Sequence, residues 1–108
     1  RLIMLRESAA ANSAFVAITR KGGNNEVILV WRDSTGGTAG ADTVTVAPFT
    51  LGSSVLELEY TGPEIIGRSD GVQIRTRSVS WVPTIALLGF RGNGAPSDVT
   101  RYQDYNQF

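Results

Sequence analysis

The feature that most constrains this chain is its punctuation. Clusters of glycine and asparagine recur between short runs rich in Val, Ile, Leu and Thr: Gly22-Gly23-Asn24-Asn25, Gly36-Gly37, Thr61-Gly62-Pro63, Asp70-Gly71 and Gly92-Asn93-Gly94. Gly and Asn reach positive φ at little cost, so each cluster marks a turn. The runs between them predict nine strands: Leu2 to Arg6, Ala14 to Arg20, Val27 to Asp33, Thr43 to Ala47, Ser54 to Tyr60, Glu64 to Ser69, Val72 to Arg77, Thr84 to Phe90 and Val99 to Tyr105. Glu7 to Ser13 is the sole helical candidate. Short strands at this spacing make an all-β sandwich or barrel, and 108 residues suffice for one domain, 1-108, and no more.

Alternation assigns faces. Leu56, Leu58 and Tyr60 share one side of their strand, and Glu57 and Glu59 the other. Arg68, Arg75 and Arg77 on the next two strands supply opposite charge, so a solvated, ion-paired outer face is expected there. Ile85 to Leu88 is continuously apolar, as in a strand buried on both faces.

Composition removes whole classes of function. Ten basic residues, nine of them Arg, balance ten acidic ones, which gives no nucleic-acid or anionic-membrane partner. No apolar stretch approaches the ~18 residues of a membrane span, so no membrane insertion is expected. Without Cys or His there are no thiolate nucleophiles, no disulfides, no Ser-His-Asp triad and no zinc, copper or haem site built on those ligands. The chain starts inside a strand at Arg1 and is read as a fragment or mature portion of a longer one.

Carboxylate chemistry remains open. Glu57 and Glu59 are the only same-face pair of glutamates, about 7 Å apart by strand rise. Predicted arginine partners flank them, so the expectation is no enzyme. Oxygen ligands for calcium are scattered over Asp42, Asp70, Asn93, Asp98 and Asp104, without the dense loop of an EF-hand. The expectation is no cofactor, with calcium the one cation these side chains keep open.

The segments "LIMLRESAAANSAFVAITR", "VILVWRDSTGG", "VLELEYTGPEIIGRSDG" and "TIALLGF", in that order, carry a resemblance. The chain resembles the concanavalin-like, laminin-G-like jelly-roll modules of bacterial secreted proteins, including the group related to regulation of enolase. It covers Leu2 to about Phe90. It departs at Ile74, where the modules carry Trp, and at Tyr60, where they carry a basic residue. The resemblance implies an antiparallel jelly-roll-like sandwich in an extracellular or surface-exposed protein. The modules' first strands would precede Arg1, so a sheet lacking strands beside Leu2 to Arg6 is expected. It also places Arg6-Glu7 at the end of an inner strand. Neighbouring residues face opposite ways, so Arg6 is expected to reach Asp33 or a turn carbonyl, and Glu7 to accept from backbone N–H groups or Arg32.

Two functional readings follow. Non-catalytic recognition of a glycan or cell-surface polymer would use Trp81 as a stacking platform with Arg32, Asp33 and Tyr102 around it, leaving Trp31 to the core. The alternative is a structural or decoration subunit of a virion or surface fibre, contacting other protein subunits through exposed sheet edges. In that reading the tail "DVTRYQDYNQF" supplies a pairing strand, either to its own sheet or to a partner.

Overall fold

The computed structural model describes residues 2–21, 25–47, 55–90 and 101–104. Among the described residues nine strands form: β1 (Leu2–Arg6), β2 (Phe15–Lys21), β3 (Glu26–Arg32), β4 (Ala39–Thr45), β5 (Leu56–Tyr60), β6 (Glu64–Ser69), β7 (Val72–Ser78), β8 (Ile85–Phe90) and β9 (Arg101–Asp104). Every predicted strand has its counterpart. β4 moves most, starting at Ala39 instead of Thr43. It pairs with β3 along its whole length, from Arg32↔Ala39 to Glu26↔Thr45, so its partner sets its limits. Asp70 and Gly71 both take positive φ, 51° and 81°, the geometry of a two-residue hairpin turn between β6 and β7.

The helix expected over Glu7 to Ser13 does not form. That segment is the β1–β2 connection, closed by Glu7 N–H to Ala14 O at 3.0 Å and Ser13 N–H to Ala10 O at 3.0 Å. The Ser13 hydroxyl accepts from Ser8 N–H at 3.0 Å and donates to Ala14 O at 2.9 Å. Local side-chain bonds of this kind compete with helix, and seven residues are too few to resist them.

All pairings are antiparallel, in two sheets of order β4-β3-β2-β1-β8-β9 and β5-β6-β7. Together they make the expected antiparallel β-sandwich. Within each sheet the strands follow one another as meanders, and only β8 returns beside a strand distant in sequence. That return corrects one expectation. β1 is hydrogen-bonded to β2 on one side and β8 on the other, so no gap lies beside Leu2 to Arg6.

Register fixes what faces inward. Ile3 and Leu5, Val16 and Ile18, Val27 and Leu29, and Ala86 lie on the inner side of the large sheet; Leu56 and Ile65 meet them from the small one. β5 packs over β1 and β2. β6 follows over β2 and β3, where a Cβ on Gly67 would stand 3.2 Å from Leu29 Cδ1 and 3.4 Å from Ile18 Cδ1. The sheets approach closely there because position 67 has no side chain. β8 lies beyond this cover. Of the apolar run Ile85 to Leu88 only Ala86 is buried and the others are half-buried, so the strand is not enclosed on both faces as expected.

β7 is joined to the far side of the large sheet by charge. Arg77 donates from Nε to Asp33 Oδ1 at 3.0 Å and from Nη2 to Asp33 Oδ2 at 2.5 Å. Its guanidinium also stacks 4.1 Å from the Trp31 ring centroid. Arg75 Nε donates to Asp42 Oδ2 at 2.6 Å. The outward, solvated placement expected for Arg75 and Arg77 is therefore corrected. They share the inward register of Gly67 and Ile65, and the extra residue of a bulge between Gly67 and Arg68 adds Ile74 to the apolar edge. Glu59 and Arg68 form the expected outer pair at 2.8 Å.

Gly40 makes the Trp31 position possible. A Cβ there would fall 2.7 to 2.8 Å from indole atoms Cε2, Nε1 and Cζ2. Gly40→Ala must push the ring off its strand partner and out from under Arg77. The expected loss is about 1–3 kcal/mol in urea unfolding, the usual cost of overpacking. An unchanged midpoint would show that Trp31 is not held where it lies.

Candidate functional site

Hydrogen-bond parity on β5 defines the site. Thr61 N–H donates to Glu64 O at 2.9 Å and Asp70 N–H to Val55 O at 2.8 Å, so the odd-numbered residues of this strand bond to β6. In an antiparallel pair the alternate residues point their N–H and C=O groups the other way. Leu56, Leu58 and Tyr60 thus direct six backbone groups to the outer edge of β5, where no strand pairs among the described residues.

Beside that edge lies a cleft of about 710 Å³. Its floor is the inner face of β1 and β8: Ile3, Leu5, Ala86 and Leu88. Leu56, Leu58 and Tyr60 form the wall, and Glu57 and Glu59 stand at the rim. Floor and wall are apolar, as expected where a two-layer fold has lost one layer. Both glutamates are exposed. Glu59 accepts from Arg68, while Glu57 has no hydrogen bond or ion pair among the described residues.

The other edge of the small sheet is built differently. β7 carries the bulge and two inward-pointing arginines, both devices that obstruct pairing with another chain. β5 has neither. Its inward positions are Leu56, Leu58 and Tyr60, and the strand is regularly paired through all five residues. Among the described residues the cleft edge carries neither obstruction.

Residues singled out from the sequence do not gather here. Trp81, expected as an exposed platform, is 5% exposed and part of the core. It lies on the connection from β7 back to β8, which is tied at each end by Val79 N–H to Pro63 O at 3.0 Å and Thr84 N–H to Arg6 O at 2.9 Å. A chain passing between two sheets must plug the end of the sandwich, and Trp81 does so. Trp31, expected in the core, is half-buried under Arg77.

Arg32 is spent on loops. It donates to Gly37 O at 3.0 Å and Ser13 O at 3.3 Å, and its guanidinium lies 5.4 Å from the Phe15 ring centroid. Asp33 is held by Arg77. Tyr102 lies in β9 opposite Gly89, and its side chain is outside the described residues. Arg6 does reach a turn carbonyl, that of Ala10, rather than Asp33. Glu7 accepts from Thr35 Oγ1 at 3.0 Å rather than from Arg32 or a backbone N–H. These contacts fasten the β1–β2 and β3–β4 connections to each other.

Of the calcium candidates, Asp42 is paired with Arg75, and Asp70 accepts from Val55 N–H at 2.7 Å. Asn93 and Asp98 lie outside the described residues, as does the side chain of Asp104. Among the described residues no three His, Cys, Asp or Glu side chains converge on a metal-sized site. No known protein family matches the chain, and no curated protein or solved structure matches it.

Sequence reasoning had the faces of β5 but not its edge. Alternation separates Leu56, Leu58 and Tyr60 from Glu57 and Glu59, yet nothing local tells which strand lies alongside. For Trp81 the two placements differ measurably. Trp81→Ala should cost about 3–5 kcal/mol in urea unfolding, the range for emptying a large core site. A fold of unchanged stability would return Trp81 to the surface.

Proposed function

We propose that this chain is a non-catalytic interaction and assembly domain that joins another polypeptide through the open edge of β5. The observation that carries the reading is the row of six backbone groups on Leu56, Leu58 and Tyr60 that no strand pairs among the described residues, beside an apolar cleft. Strand addition supplies the missing hydrogen bonds and covers the cleft floor in one step. This is the edge-mediated subunit role, suited to a virion, a surface fibre or another surface assembly.

Glycan recognition is less well supported. Trp81 offers no exposed ring, Arg32 bonds loop carbonyls and Asp33 is clamped by Arg77. The likeness to concanavalin-like modules rests on sequence motifs, and it suits a secreted or surface setting for either role.

The test uses a capped, neutral pentapeptide, Val-Thr-Val-Thr-Val, with amide hydrogen exchange as the readout. Binding at the edge should slow exchange at Leu56, Leu58 and Tyr60, leaving Glu57 and Glu59, already bonded to β6, unchanged. Leu58→Pro removes one edge donor at a position where an edge strand tolerates proline, and should abolish the protection. Protection absent from β5, together with saturable binding to a polysaccharide panel, would overturn edge pairing in favour of glycan recognition.

A further inference from the structure

The β5 edge also discriminates among strands, a deduction that rests on the edge-pairing function. We infer that its ligand is an extended segment of another chain in which apolar residues alternate with Lys or Arg. Three observations converge. The first is the inward face: a strand beside β5 lies over Ile3, Ala86 and Leu88, so every second residue meets an apolar floor.

The second is charge on the outward face. Glu57 and Glu59 already bond to β6, so toward a new antiparallel neighbour they occupy the non-hydrogen-bonded positions. Cα atoms are closest at such positions, about 4.5 Å apart, and side chains opposite one another interact directly. Glu57 is exposed and has no partner among the described residues; Arg68 engages Glu59 through a single 2.8 Å bond. A Lys or Arg opposite each glutamate completes both.

The third excludes a second copy of β5. Pairing Leu58 antiparallel with its own counterpart sets Glu57 opposite the counterpart of Glu59. Shifting by two residues either way sets like glutamates face to face. Each of these three registers brings carboxylates together, which disfavours self-pairing and favours a basic partner.

Three capped pentapeptides, Val-Lys-Val-Lys-Val, Val-Thr-Val-Thr-Val and Val-Glu-Val-Glu-Val, test this. Five residues span about 17 Å, the length of β5. Titrations of the full chain followed by amide shifts should rank them Lys, Thr, Glu, with about tenfold between first and last, as expected for two cross-strand pairs turned from attraction to repulsion. Glu57→Lys, an exposed change that leaves the core intact, should narrow or reverse that order. Equal affinities for the three peptides would overturn the charge inference while edge pairing stood. A Lys preference untouched by Glu57→Lys would overturn it by moving the site elsewhere. Failure of all three, the neutral peptide included, would remove the edge-pairing function as well.

Discussion

The small sheet is held to one side of the large one, and the rest of the architecture follows from that. Arg77 reaches across from β7 to Asp33 and lies on Trp31, while Arg75 takes Asp42 beside it. These contacts are partly exposed to solvent, which screens them, so their energies are modest, about 1 kcal/mol each. Their geometric effect is larger. With β7 fixed over β3 and β4, strands spaced about 4.8 Å apart place β5 over β1 and β2. Three strands reach no further, and the inner face of β8 is only partly covered, with Ala86 buried and Leu88 half-buried.

Charge inside the sandwich is therefore confined to its margins. Arg20 follows Val16 and Ile18 along the inward face of β2, yet its side chain is only 8% exposed and lies 3.9 Å from Asp70 on the β6–β7 turn. Like Arg75 and Arg77, it spans the gap between sheets. A buried guanidinium favours a nearby carboxylate, and Asp70 on the facing side lies at ion-pair distance from it. The centre, around Ile18, Leu29 and Ile65, is wholly apolar. The abundance of Arg over Lys acquires a structural reason here, since bridging contacts require a planar, multidentate group.

The two edges of the small sheet have opposite characters. β7 is obstructed by its bulge and inward arginines, and β5 is regular and apolar on its inner side. Proteins that remain monomeric usually obstruct every edge. Among the described residues the small sheet has one edge obstructed and one open beside an apolar cleft, the contrast on which the proposed strand addition rests. Glu57 and Glu59 stand exposed at the rim of that cleft.

The sequence by itself determined where most strands lie, β4 excepted, because turn chemistry and two-residue alternation are local properties. Asp70-Gly71 dictates its hairpin through positive φ, and β6 runs over Glu64–Ser69 as its residues predict. Alternation likewise set Leu56, Leu58 and Tyr60 against Glu57 and Glu59. Tertiary structure decided the rest. Trp81 is buried because the β7–β8 connection carries it into the core, and Trp31 is half-buried because Arg77 covers its ring, long-range events invisible to spacing. Arg75 and Arg77 turn inward because a bulge shifts register against Gly67, and Asp33 and Asp42 wait on another sheet. The open edge of β5 depends on which described strand lies beside it, and that is β6 on one side only. Local sequence sets the direction of a side chain; only the packed sheets decide what it meets.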